Sequence, residues 1–264
     1  MTNYVASMVD DFSVPIKPTD SAPTPAAENP FVPGTSDKLD PVRAKEFHTF
    51  VAKGLFLCKR AQPDIHTAID LLTTRVNEPN EDDWKKLIRV LKYLNGTRND
   101  KLILSADDLS VIKWYVDIAF AVHPDFKSQS GGGLFYGRGT PISGSKKQKL
   151  TTDSTTVAEL VGSHDFSPHI TWTKLFMESQ GYKIKKNILY QDNKSTILLK
   201  RNGKQSSSKR TRAVNIRYFF LTDQIEKGNL TVEYCPTAEM IGDFFTKPLQ
   251  GAKFEKFRKL IMGH

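Results

Sequence analysis

Apolar residues recur every three or four positions through the first third of the chain and then give way to alternation and short unbroken runs, so helices are predicted to precede a sheet. The clearest helix ends at Gly96. Trp84, Leu87, Ile88, Leu91 and Leu94 form its stripe, Asn80 is placed to cap it, and Glu81, Asp82 and Asp83 suit its positive end. Two earlier helices are predicted over Val42 to Lys59 and over Asp64 to Thr74, the second with Ile65, Ala68, Ile69 and Leu72 at helical spacing. Ahead of them, Ser13 to Lys38 carries Pro15, Pro18, Pro23, Pro25, Pro30 and Pro33 with few apolar residues, which predicts a linker or an extended strap.

After Thr97 the period changes. Lys101 to Ser105, Val111 to Ile118, Gly132 to Gly137 and Gly139 to Ser145 read as strands and turns, and consecutive strands suggest an antiparallel meander. A helix is predicted from about Ser154 to Gln180, interrupted at Pro168, with His164 and His169 as polar residues around the break. Asn187 to Gln191 has the composition of a buried central strand. There follow a helix over Lys194 to Arg201, a polar loop over Asn202 to Ser208, a helix over Arg212 to Lys227 and an alternating strand from Asn229 to Cys235. Two short helices, Ala238 to Thr246 and Ala252 to Met262, finish the chain. The last has Phe254, Phe257, Leu260 and Ile261 on one face, as expected for docking on the sheet.

Composition narrows the function. With 264 residues, 39% hydrophobic and 25% charged, the chain can bury an ordinary core, which excludes a disordered or fibrous class. A net charge of +9 points to an anionic partner, nucleic acid first and acidic lipid behind it. No apolar run approaches the ~20 residues of a membrane helix, and Met1 to Asp11 lacks the pattern of a secretory signal. Cys58 and Cys235 stand in neither a metal-ligand nor a redox spacing, which predicts two reduced thiols in a cytosolic or nuclear setting.

Four acids stand at the ends of predicted elements: Asp117 after the apolar Trp114-Tyr115-Val116, Glu159 one turn into a helix, Asp192 after Ile188-Leu189-Tyr190, and Asp243 near the start of a helix. An isolated Asp at a strand end is ordinarily a turn or cap residue. As a set in this order of elements, the four would form a dense anionic pocket that needs a compensating cation, and carboxylates alone favour magnesium or manganese over zinc. Two such ions about 4 Å apart make a phosphodiester-cleaving site.

Five motifs resemble one family. Lys113-Trp114-Tyr115-Val116-Asp117, Ser145-Lys146-Lys147-Gln148-Lys149, Thr155-Thr156-Val157-Ala158-Glu159-Leu160, Tyr190-Gln191-Asp192-Asn193-Lys194-Ser195 and Met240-Ile241-Gly242-Asp243-Phe244-Phe245-Thr246-Lys247-Pro248-Leu249 resemble, in order, the ribonuclease H domain of copia-type retrotransposon pol polyproteins. Upstream, Phe47-His48-Thr49-Phe50-Val51-Ala52, Arg60-Ala61-Gln62-Pro63-Asp64-Ile65 and Leu91-Lys92-Tyr93-Leu94-Asn95-Gly96-Thr97 resemble the stretch that links polymerase to nuclease there. The polymerase palm is missing. Asp10-Asp11 only superficially mimics its catalytic turn, since no apolar strand precedes the pair.

The resemblance implies an α/β ribonuclease H-like fold: a mixed five-stranded sheet, three antiparallel strands then parallel additions, with flanking helices and a small helical segment in front. It implies a strap over 1–40, a helical connection segment over 41–98, a ribonuclease H-like domain over 99–250 and an amphipathic helix over 251–264. It also implies two Mg2+ or Mn2+ ions held by Asp117, Glu159, Asp192 and Asp243. Asp117 and Asp192 would contact both ions, Glu159 the one on the leaving side and Asp243 the one on the water side. The implied activity is hydrolysis of the RNA strand of an RNA-DNA hybrid, in a cytoplasmic virus-like particle or the nucleus, with the remainder of the pol polyprotein as partner and no membrane. Relatives often carry histidines in the helix matching Thr211 to Phe220, where Ala213 and Phe219 stand here.

Charge asymmetry places the nucleic acid. From Asn193 to Thr222 there is no acid, while Lys194, Lys204, Lys209, Arg210 and Arg212 are basic, Ser206, Ser207 and Ser208 supply hydroxyl donors, and Asn193 adjoins a predicted ligand. Lys146 and Lys147 form a second basic cluster for the other strand. From another class comes the alternative of a catalytically inactive, nucleic-acid-binding remnant of such a polyprotein.

Overall fold

The structure, a computed structural model, describes every residue except Asn29, Pro33 and 203–219, and describes 199–202 by backbone alone. In chain order the helices are α1 (Thr2–Asp10), α2 (Pro41–Cys58), α3 (His66–Thr73), α4 (Glu81–Gly96), α5 (Thr155–Ser179), α6 (Lys194–Asn202), α7 (described over 220–226) and α8 (Gly251–Met262). The strands are β1 (Val111–Ala119), β2 (Gln129–Phe135), β3 (Ile142–Lys147), β4 (Lys186–Gln191) and β5 (Thr231–Tyr234). The chain forms two compact units. One gathers Met1–Leu104, Arg138–Lys146 and Lys247–His264, the other Ser105–Gly137 and Lys147–Thr246.

The first unit is built on α4. Asn80 accepts the Asp83 N–H at 2.9 Å while Asp83 accepts the Asn80 N–H at 3.2 Å, a reciprocal cap that satisfies two orphan donors. Leu87, Leu91 and Leu94 are fully buried along its stripe. Asp40 caps α2 by accepting from the N–H groups of Val42 and Arg43, and Pro41 sits at the first helical position, where no N–H is needed. Among the described residues, the Pro-rich strap pairs with no strand, so its carbonyls need other donors. Polar side chains of α4 supply them: Asn95 Nδ2 donates to Lys17 and Asp20, Arg89 Nε to Thr24, and Lys86 Nζ to Pro30.

Two expectations for this unit are corrected. The first residues, assigned to the strap, form α1, which buries Val5, Met8 and Val9; two turns are too short for periodicity to declare. Asp10 pairs with Arg98 at 2.7 Å and Asp11 with Lys53 at 3.5 Å, which occupies that acidic pair in ion pairs. Lys101 to Ser105 is not a strand, because its backbone binds a helix end instead: the Ile103 N–H donates to the Met262 carbonyl at 2.9 Å.

The amphipathic face of α8 is buried as expected, but on the helical segment: the Phe254 ring lies edge-on to Tyr93 at 6.0 Å. Arg258 fixes it there. Its Nε donates to Asp64 Oδ2 at 2.9 Å and to the Tyr93 hydroxyl at 2.6 Å, and a second nitrogen bonds Asp100. Burial pushes the Asp64 carboxyl above the usual carboxylate range, and Arg258 opposes that push.

The mixed sheet that the resemblance implied has the strand order β3-β2-β1-β4-β5, and β2, β1, β4 and β5 belong to the second unit. β1 runs antiparallel to β2 and parallel to β4, and β4 runs parallel to β5. Trp114, Val116 and Ile118 alternate on the buried face of β1, where Phe166 of α5 approaches Trp114. The expected break at Pro168 does not occur. Proline leaves the His164 carbonyl without its helical donor, and the Ser167 hydroxyl takes that place at 2.7 Å, so α5 runs unbroken for 25 residues. The helix expected over Ala238 to Thr246 is instead two 3-10 turns, Thr237–Glu239 and Ile241–Phe245, separated by extended Met240. Among the described residues no helix is long and apolar enough to cross a membrane.

Replacing Arg258 by Met should destabilise the first unit by about 3–5 kcal/mol, since it leaves the buried Asp64 charge uncompensated. Chemical denaturation checks this, and a loss below 1 kcal/mol, the scale of an exposed pair, would contradict it.

Candidate metal centre

Close backbone approach assembles the site. Asp117, near the end of β1, lies opposite Gly131 of β2, and a Cβ on Gly131 would stand 2.5 Å from the Phe245 backbone. A Cβ on Gly242 would stand 2.8 Å from the Asp117 Cβ. Glycine at both positions therefore lets the Ile241–Phe245 turn close over Asp117. From the residue after that turn, Thr246 Oγ1 donates to Asp117 Oδ2 at 2.6 Å.

Glu159 arrives on α5. Ser154 caps that helix by accepting the Val157 N–H at 3.3 Å, which sets Glu159 in its second turn. Three residues on, a Cβ at Gly162 would come within 2.0 Å of Ile118 Cδ1, so the missing side chain is what lets α5 lie against β1. Gln191, the last residue of β4, donates from Nε2 to Glu159 Oε2 at 2.8 Å and accepts the Ser163 hydroxyl on Oε1 at 3.3 Å. Asp192 follows, and its Oδ2 accepts the Thr237 hydroxyl at 3.0 Å.

The result is a convergence of charge. One carboxylate oxygen each from Asp117, Glu159 and Asp192 lie within 4.8 Å of one another, with Asp117 and Glu159 buried and Asp192 half-buried. Like charges this close need a cation or shared protons, and an all-oxygen donor set fits a hard divalent ion such as Mg2+ or Mn2+. Asp243, the fourth predicted ligand, is buried on the Ile241–Phe245 turn beside Gly242 but is not among the three that converge.

Cys235, next to this cluster, is a free buried thiol pushed up to about 11 by burial and by the negative charge of Glu239, Asp192 and Asp243. Cys58, in the first unit, is pushed up to about 12, chiefly by burial. Both stay protonated at neutral pH, so neither offers the thiolate that a metal ion would bind.

The predicted nucleic-acid contacts divide. Asn193 caps α6 by accepting the Thr196 N–H at 3.1 Å, and exposed Lys194 lies over the Tyr234 ring at 4.9 Å. Lys147 pairs with Asp125 at 2.9 Å, and exposed Lys146 falls in the first unit. Lys204, Ser206, Ser207, Ser208, Lys209, Arg210 and Arg212 lie outside the described residues, as do Ala213 and Phe219. His164 and His169 sit within the unbroken α5, His164 edge-on to Phe220 at 5.7 Å. Sequence reasoning missed Thr246, Gln191, Ser163 and Thr237. Gln191 carried a signal: an amide in the buried alternation of an apolar strand requires a partner.

Two outcomes follow from this geometry. Gly162→Val should cost about 1–3 kcal/mol by overpacking and weaken divalent-cation binding by moving Glu159, and unchanged cation affinity in calorimetry would contradict that coupling. With thiols held this high, about one in a thousand or fewer is ionised at pH 8, so iodoacetamide should label neither cysteine until the protein is unfolded. Rapid labelling of the native protein, followed by mass spectrometry, would overturn this assignment.

No family model matches the chain. It is 31% identical over 209 residues to the retrovirus-related Pol polyprotein from transposon TNT 1-94 of Nicotiana tabacum, across 79% of this chain and 15% of that protein. It is 29% identical over 202 residues to that from transposon RE2 of Arabidopsis thaliana, across 76% of this chain and 14% of that one. The chain therefore spans about one seventh of the length of these relatives. Among solved structures, that of the foamy viral protease-reverse transcriptase in complex with dsDNA is similar with a TM-score of 0.45 and 13% identity, over 78% of this chain and 40% of that one. On the sequence similarity along most of its length, the chain belongs to the Pol polyprotein family of copia-type retrotransposons.

Proposed function

We propose that the chain is the ribonuclease H segment of such a polyprotein and hydrolyses the RNA strand of RNA-DNA hybrids during reverse transcription, in a cytoplasmic particle or the nucleus. The observation that carries this reading is the convergence of Asp117, Glu159 and Asp192 at the ends of three elements brought together by the mixed sheet and its helix. Asp117, Glu159 and Asp192, with Asp243 beside them, would hold two Mg2+ or Mn2+ ions. Such ions lower the pKa of bound water and stabilise the departing oxygen of a phosphodiester. The chain's own part is to fix its carboxylates by hydrogen bonds and to keep the buried side of the site free of bulk water.

The net charge of +9 supports a polyanionic substrate, and exposed Lys194, two residues after Asp192, is placed to meet its backbone. Contacts of this kind fix position along a strand and carry little sequence preference. Affinity for the hybrid should accordingly fall steeply with salt.

A labelled RNA-DNA hybrid in magnesium tests the reading. The chain should cleave the RNA strand, and Asp192→Asn should lose more than the ~10–100-fold that removing an outer partner of a metal ligand costs. Full activity in Asp192→Asn would remove the assignment. Hybrid binding without cleavage by the unaltered chain would favour the inactive remnant.

A further inference from the structure

The three converging carboxylates share a feature that the proposed reaction does not by itself require. Each gives one oxygen to a neutral donor from a different element: Asp117 Oδ2 to the Thr246 hydroxyl at 2.6 Å, Glu159 Oε2 to the Gln191 amide at 2.8 Å, and Asp192 Oδ2 to the Thr237 hydroxyl at 3.0 Å. Thr246 and Gln191 are fully buried. Gln191 is oriented in turn, because Ser163 donates to its carbonyl oxygen and so leaves the amide nitrogen toward Glu159.

From these contacts we infer that Thr246, Gln191 and Thr237 are positioning residues that set the ion selectivity of the centre, favouring a small divalent cation over calcium. The inference rests on the proposed function, because it requires that the cluster bind metal.

The physical basis is rotational. A free carboxylate can turn to present both oxygens to one ion, and Ca2+, which takes six to eight oxygens at variable distances, exploits that freedom. Mg2+ takes six ligands at short distances in near-octahedral geometry and uses single carboxylate oxygens with water. A hydrogen bond to one oxygen of each carboxylate fixes its rotation, so the group is presented singly and without swing. Neutral donors suit this task. A lysine or arginine would neutralise the carboxylate and compete with the ion, whereas a hydroxyl or an amide leaves its charge in place.

Donors held by packing keep that orientation before any ion arrives. Thr246 directly follows the turn that Gly242 seats on Asp117, and Gln191 is the last residue of a central strand. The preference is therefore built into the sheet and the turn rather than assembled by the ion.

The test is calorimetric titration of the full chain, without nucleic acid, using MgCl2, MnCl2 and CaCl2 in separate runs. The unaltered chain should bind Mg2+ and Mn2+ more tightly than Ca2+. In Thr246→Val and Gln191→Met, Mg2+ affinity should fall about 10–100-fold and Ca2+ affinity by less, so that the preference narrows or inverts. Thr246→Ser, which keeps the hydroxyl, should restore the original preference. Thr237 is exposed, so Thr237→Val provides a variant that leaves the core intact, and its circular dichroism and thermal midpoint in EDTA should match those of the unaltered chain. An unchanged ratio of Mg2+ to Ca2+ affinity in folded Thr237→Val and Gln191→Met overturns the inference while leaving the proposed function standing. Failure of the unaltered chain to bind any of the three ions overturns both.

Discussion

Crowding of like charge at the end of β1 is the constraint on which the second unit depends. Carboxylates whose oxygens lie within 4.8 Å of one another, two of them buried, repel and oppose folding unless neighbouring groups or a cation offset that repulsion. The fold meets this on two levels. Gly131, Gly162 and Gly242 let backbone and helix come close enough for the acids to meet, and hydroxyl and amide donors hold each carboxylate once it is there. The remaining charge is what a divalent cation would neutralise. Structure and proposed chemistry thus share one electrostatic cause.

Much of this was legible in the sequence, for reasons that can be given residue by residue. Asp117 and Asp192 end apolar strands, and Glu159 stands one turn into a capped helix, so placement at element ends already distinguished them from solvated acids. The strand order was carried by the resemblance rather than by periodicity, which does not say which strands pair. Asp243 was legible as an acid in a motif. Its 3-10 turn was not, because the extended Met240 that splits the expected helix answers to the closure of the turn over Asp117 and not to local propensity.

The positioning residues were hidden for a related reason. Thr246, Gln191 and Thr237 act across separations of 129, 32 and 45 residues, and no local pattern reports such contacts. Pro168 misled in the opposite direction: the rule that proline breaks a helix holds when the freed carbonyl lacks a donor, and Ser167 supplied one. Leu102, Ile103 and Leu104 looked like a strand because an apolar run shows that a segment can be buried but not which backbone it bonds; here it bonds the end of α8. In the first unit the same lesson recurs, since Arg258 and Asp64 are 194 residues apart yet form its buried ion pair.

The central claim is that acids from distant stretches of the chain form one divalent-cation site. Anomalous diffraction from crystals of the chain soaked in manganese tests it most directly. The account predicts manganese density with carboxylate oxygens of Asp117, Glu159 and Asp192 around it. Density elsewhere, or a lysine or arginine seated among those three acids with no ion bound, would contradict it.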